Sequence, residues 1–184
     1  KNTLATVQSL ATQTLRNTER SEDARQLFES RLTALSRAHD LLTAENWEGA
    51  GLAEVVDRGL KPFKTDPARI HVDGSPVRLS PKQALALSIA LHELATNAAK
   101  YGALSGDDGH IDVHWSSSDG VLRLSWSERG GPPVSPPTRV GFGTRLIQRN
   151  LAGELGGSAD IEYRPEGVMA SITAPIEPAA HKGH

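Results

Sequence analysis

Glu93, Asn97 and Lys100 follow one another at steps of four and three, so on a helix a carboxylate, an amide and an ammonium share one stripe, which Tyr101 extends. That set suits a metal–phosphate group. A neutral amide oxygen can ligate a hard cation such as Mg2+, which takes oxygen ligands and keeps waters and phosphates as the others. The carboxylate can accept a proton or hold a water, and the ammonium can meet phosphate charge. Taken alone, such a stripe is more often a solvated helix face.

Two other stretches carry chemistry of the same kind. Trp126-Ser127-Glu128-Arg129-Gly130-Gly131-Pro132 looks like a strand end running into a turn. A carboxylate placed there can accept a hydrogen bond from an exocyclic amine, and paired glycines let backbone approach a flat ring. On its own it reads better as a β-turn after an edge strand. Val140-Gly141-Phe142-Gly143-Thr144 opens a helix with a glycine pair, and free N–H groups at a helix start favour phosphate. A lone Gly-x-Gly is a weak signal. It is not the dinucleotide fingerprint, for no third glycine follows, and no Gly-Lys-Ser/Thr of a P-loop occurs in the chain.

These residues need elements to hold them. Residues 1–46 contain neither Pro nor Gly and read as two helices. The first carries Leu4, Val7, Ala11 and Leu15 at helical spacing. The second starts near Ser21 and carries Phe28, Leu32, Leu35, His39 and Leu42 as a seam, the pattern of an antiparallel hairpin or of a dimer bundle. From residue 47 the pattern changes. A short helix is predicted from Leu52 to Leu60, with short strands at Arg69 to Val72 and Val77 to Leu79. Ser80-Pro81-Lys82-Gln83 is a helix start with a capping box, and that helix should stop at Gly102 with Ala86, Leu87, Ala90, Leu94 and Ala98 buried. Alternating runs at His110 to Ser116 and Val121 to Ser127 predict a hairpin. A Gly/Pro-rich loop, a helix from about Thr144 to Leu155 and a second hairpin, Ser158 to Tyr163 with Val168 to Ala174, complete the chain, leaving Pro175 to His184 as a frayed tail. The expected architecture is α+β: a helical hairpin over 1–46, then a domain over 47–176 with a mostly antiparallel sheet covered on one face by helices, then a tail over 177–184.

Composition narrows the classes. With 184 residues and 38% hydrophobic content the chain can bury a core, and the net charge of −2 argues against nucleic acid as a main partner. The absence of cysteine excludes disulfides, thiolate catalysis and cysteine-ligated metals. No run of about 18 apolar residues is present to span a membrane, and no signal peptide is visible. A cytoplasmic location is expected. Lys1 already lies inside a helical pattern, so a preceding segment is expected as well.

In their order along the chain, the three chemistry-bearing stretches resemble the GHKL superfamily of ATP-binding domains. Within it they are similar to the HWE histidine kinases, named for a His in the first stretch and a Trp-x-Glu in the second, here His92 and Trp126-Ser127-Glu128. Lys1-Asn2-Thr3-Leu4 resembles the tail of that family's phosphoacceptor box, and Arg37-Ala38-His39-Asp40-Leu41-Leu42 with Trp47 its second hairpin helix. The resemblance implies an α/β sandwich that binds Mg-ATP, transfers the γ-phosphoryl group to a histidine, and passes it to an aspartate of a response-regulator receiver domain. It implies that Asn97 ligates Mg2+, Glu93 acts as general base or orients the nucleophile, and Lys100 contacts phosphate. Tyr101 would line the adenine or ribose side, and Glu128 would accept from the adenine amine, where most relatives use Asp. Gly130 and Gly131 would shape that pocket, and Gly141, Phe142, Gly143 and Thr144 would form the lid. His92 is expected near the nucleotide or satisfying a buried backbone group.

The family box, His-Arg-x-Lys-Asn, sets the acceptor three residues ahead of Lys1. The chain as it stands is therefore expected to bind ATP without labelling itself at that site. His39 reads as a seam residue rather than a substitute acceptor, and Trp126 as structural. His71, His110 and His114 read as strand residues rather than ligands. Arg25, Arg31 and Arg37 read as a solvated face, or as a docking surface for the acidic regulator. A homodimer and an upstream sensor domain are further expected partners. The alternative is a GHKL-type anti-sigma factor serine kinase, which lacks the hairpin; a pseudokinase scaffold ranks last.

Overall fold

The computed structural model describes residues 48–135 and 156–176, together with Leu32, Thr33, Leu35, Ser36, Ala38, His39, Asp40, Leu42 and Thr43. The expected first hairpin helix, Phe28 of the seam, the Thr144–Leu155 helix and the tail from 177 lie outside these residues.

The described residues between 32 and 43 are helical. Leu35, Ala38 and Leu42 are buried at steps of three and four, while Leu32 is exposed and His39 half-buried. Within the single chain the buried stripe of these described residues thus runs through Leu35, Ala38 and Leu42. Thr43 donates its hydroxyl to the His39 carbonyl one turn back, at 2.9 Å. Leu42 belongs to the same buried cluster as the sheet domain that follows.

That domain begins with β1 (Ala50–Gly51), α1 (Leu52–Leu60), β2 (Ile70–Gly74), β3 (Arg78–Leu79) and α2 (Pro81–Tyr101). It continues with β4 (His110–Ser118), β5 (Val121–Arg129), β6 (Ser158–Arg164) and β7 (Gly167–Pro175). Five strands form one sheet in the order β2-β4-β5-β7-β6, with β2 parallel to β4 and every other pair antiparallel. The two strands on either side of residues 75–77 do not pair with each other. β2 joins the edge of the large sheet, whereas β3 pairs with β1 in a separate ribbon.

One face of the sheet is apolar. Ile111, Val113 and Trp115 of β4, Leu122, Leu124 and Trp126 of β5, and Ala170, Ile172 and Ala174 of β7 alternate inward at period two and are buried. Leu52, Val55, Val56 and Leu60 of α1 join the same core, as do Leu87, Leu91 and Leu94 of α2. All five predicted inward residues of α2 are buried. Capping accounts for where α2 starts. Ser80 N–H donates to Gln83 Oε1 at 3.0 Å, Gln83 N–H donates back to Ser80 Oγ, and Pro81 sits where no N–H is needed. At the other end Gly102 N–H caps Asn97 and Ala98 carbonyls, each at 3.1 Å.

The β4–β5 hairpin is tighter than the sequence predicts. Its strands run to Ser118 and from Val121, leaving Asp119 and Gly120 as a two-residue turn at φ 53° and 73°. Positive φ at both positions follows the strand twist and favours Asp-Gly. Pro175 is no tail residue. It pairs with Val121, and the next amide, Ile176, donates to the Gly120 carbonyl at 2.8 Å.

Candidate functional site

The C-terminal half of α2 passes from core to surface. Leu91 through Ala95 are buried, including His92 and Glu93, the latter 5% exposed. Thr96 is half-buried, Asn97, Ala99 and Lys100 are exposed, and Tyr101 is 73% exposed. A solvated helix face accounts for Lys100 and Tyr101 but not for Glu93, since an ionisable group held inside costs free energy unless it is partnered. Among the described residues no buried side-chain nitrogen or oxygen lacks a partner. His92 packs against Phe63, ring centroids 5.7 Å apart, so the turn Lys61–Phe63 after α1 braces this part of α2.

Glu128 is the fourth member of the alternation that begins Leu122, Leu124, Trp126. Period two turns its carboxylate inward, under the end of α2, where it is 3% exposed. One oxygen accepts from the Trp126 indole Nε1 at 3.1 Å, and the other from the Ala103 backbone N–H at 3.0 Å. The Trp-x-Glu spacing thus has a geometric reason: two residues apart on a strand, indole and carboxylate share a face. Trp126 fixes the carboxylate as well as packing the strand. Burial pushes the Glu128 carboxyl above the ordinary glutamate value, while the hydrogen bonds from Ala103 and Trp126 pull it back.

Around Glu128 the backbone is crowded to a degree only glycine allows. A Cβ on Gly102 would meet Glu128 Oε2 at 2.1 Å, and one on Gly131 would lie 2.7 Å from the Ala103 Cα. The turn after β5 is therefore in van der Waals contact with the loop after α2. Gly130, at φ 72°, carries the chain into that contact.

A residue that sequence reasoning places merely at the start of a strand completes this arrangement. Arg69, in the turn Pro67–Arg69, donates from Nε to the Gly109 carbonyl at 2.7 Å, and from Nη2 to the carbonyls of Ala103, at 3.0 Å, and Gly106. No spacing signal marks Arg69, because its acceptors are backbone oxygens 34 to 40 positions away.

The structure thus brings Glu128, Gly130 and Gly131 against the loop that follows α2, the helix that carries Glu93, Asn97, Lys100 and Tyr101. Gly141, Phe142, Gly143 and Thr144 lie outside the described residues. His71 and His114 form surface pairs with Asp112 and Asp73 at 3.0 and 3.2 Å, and no metal-binding cluster of His, Asp or Glu occurs among the described residues. An inward carboxylate beside a glycine-formed contact, next to a helix end bearing an amide and an ammonium, can read a planar amine-bearing ring and hold a metal–phosphate group.

Comparison with known proteins points the same way. The HWE histidine kinase family model matches residues 1–76. The chain is 44% identical over 188 aligned positions to the blue-light-activated histidine kinase of Brucella ovis, which covers 100% of this chain and 38% of that protein. The chain therefore spans well under half the length of the curated relatives it matches. Among solved structures, the blue-light-activated histidine kinase of Erythrobacter litoralis superposes with a TM-score of 0.72 at 16% identity, over 95% of this chain and 58% of that one. The histidine kinase ThkA in complex with the response regulator TrrA superposes at 0.53 with 15% identity, over 98% and 59%. At these identities the structural likeness is one of fold.

Proposed function

We propose that the chain is a histidine kinase core of the HWE type, the family whose model matches residues 1–76, in keeping with its 44% identity to a histidine kinase of Brucella ovis, and that it binds Mg-ATP between the end of α2 and the turn after β5 and supplies the γ-phosphoryl group to a histidine. The histidine nitrogen attacks the γ-phosphorus, the bond to the β,γ-bridging oxygen breaks, and ADP leaves. The phosphoryl group then passes to an aspartate of a response-regulator receiver domain. The complex of ThkA with its regulator supports that class of partner. Catalysis of this kind is mostly positioning and charge neutralisation.

The observation that carries this reading is the seating of Glu128 by Trp126 and Ala103 at the foot of the Asn97-bearing helix. Each carboxylate oxygen there accepts one N–H and keeps a further lone pair for an adenine amine. Asn97 offers one exposed amide oxygen, which suffices for Mg2+, since that ion takes most of its ligands from phosphate and water. Lys100, exposed one turn further on, meets phosphate charge, and Tyr101 lines the adenine or ribose side. Buried Glu93 serves as general base or orients the nucleophile, with His92 braced beside it. Gly130 and Gly131 shape the base pocket, and Gly141, Phe142, Gly143 and Thr144 form the lid. A second copy of the chain and an upstream sensor segment are further proposed partners, in a cytoplasmic setting; among the described residues no helix is long and apolar enough to cross a membrane. The relatives' names favour this reading over a serine kinase.

Equilibrium titration with ATP, with and without Mg2+, tests it. Asn97→Ala should lose the Mg2+-dependent part of the affinity, about tenfold or more for one charge-assisted contact. Wild-type affinity that does not respond to Mg2+, or an Asn97→Ala variant that responds as wild type does, contradicts the assignment.

A further inference from the structure

The loop Gly102–Gly109 is where the helix end and Glu128 meet. It presents the Ala103 N–H to the Glu128 carboxylate at 3.0 Å, and Gly131 packs on its Ala103 backbone. Short turn bonds hold its first part, Ser105 N–H and Oγ both donating to the Gly102 carbonyl at 3.0 and 2.7 Å. The rest of the loop is tied by the Arg69 side chain. The Arg69 guanidinium spans the carbonyls of Ala103, Gly106 and Gly109. A planar fork that binds three oxygens along one segment fixes the segment's path, which a single point donor cannot do. Ala103 is the pivot: its carbonyl accepts from Arg69 while its N–H donates to Glu128.

We propose that Arg69 is a positioning residue for base recognition, holding the Gly102–Gly109 loop so that the Ala103 N–H keeps the Glu128 carboxylate aimed at the nucleotide base. This rests on the reading of Glu128 as the acceptor for the adenine amine, and Arg69 itself touches no nucleotide. Its loss releases three carbonyls to water and lets Ala103 drift, so the carboxylate loses one of its two anchors. Contacts to the phosphates, made from α2, are unaffected. Arg69 therefore governs which base is bound more than how tightly a triphosphate is held.

Paired titrations with ATP and with inosine triphosphate, which carries a carbonyl in place of the amine, separate these effects. Wild type should prefer ATP, and Glu128→Gln should abolish the preference. Arg69→Ala should reduce the preference by about tenfold while leaving inosine triphosphate affinity within about twofold. Arg69→Lys keeps the charge but not the fork, and should fall between the two; it decides the matter if the alanine variant does not fold. Hydrogen exchange on the nucleotide-free Arg69→Lys protein should speed up in the Gly102–Gly109 amides and not in β5. A merely structural role would weaken both nucleotides alike. If Glu128→Gln loses the preference while Arg69→Ala, or Arg69→Lys in its place, keeps the wild-type ratio, the Arg69 assignment is overturned and the base reading stands. If Glu128→Gln keeps the preference, the base reading itself fails, and the role of Arg69 with it.

Discussion

Glu128 is an acid whose surroundings oppose its charge while two donors offset part of that opposition. Its pKa is raised by folding, so the folded state holds the proton more tightly than the unfolded state. Stability from this group is thus fully present below the ordinary glutamate range and is lost as pH rises through the raised value. Nucleotide binding should run the opposite way, because the ionised carboxylate is the better acceptor for an adenine amine; ATP affinity should fall as pH drops through the same value. Trp126→Phe probes both trends. It removes one hydrogen bond to the carboxylate, worth about 1.5–3 kcal/mol when the group is charged. Urea midpoints should show a deficit that is largest at neutral pH and shrinks on acidification. A deficit independent of pH would mean that the indole serves packing alone. Leu122, Leu124 and Trp126 made the phase of the strand legible in the sequence, but not its extension: the strand was expected to end at Ser127, with Glu128 in the turn, whereas β5 runs on to Arg129 and carries Glu128 inward. The burial of Glu93 was not legible, because α2 is wrapped by core over several turns and helical spacing cannot show how far that wrapping extends. Arg69 left no signal, for a backbone carbonyl looks the same in every residue.

At the scale of elements, local chemistry was readable and long-range pairing was not. Both ends of α2 follow from residues that cap them, Ser80, Pro81 and Gln83 at the start and Gly102 at the end. The hairpins follow from alternation and from Asp119-Gly120. The partners of β2 and β3 depend on β4 and β1, which lie 41 and 29 positions away at the Ile70–Ile111 and Ala50–Leu79 pairs, and no local pattern encodes that choice. Gln83 links the two kinds of information. Its side chain closes the capping box through Oε1 and donates through Nε2 to the Pro175 carbonyl at 2.7 Å, tying the start of α2 to the end of β7. Gln83→Ala should lower stability by about 1–2 kcal/mol, more than a surface substitution on the same helix. Chemical denaturation checks this, and a loss no larger than that of Lys82→Ala would show that neither bond contributes.

For the whole molecule, a five-stranded sheet and its covering helices carry one face of chemistry, at the end of α2 and the turn after β5. The described helical residues between 32 and 43 feed Leu42 into the same core, so this stretch is packed with the sheet domain. The central claim is that this layer delivers phosphoryl groups to histidine. It is tested most directly by incubating ATP labelled at the γ-position with a version of the chain extended upstream of Lys1 through the expected acceptor histidine. The label should be lost in acid and kept in base, and should disappear in Asn97→Ala. Acid-stable label, or label that persists without Asn97, would contradict it.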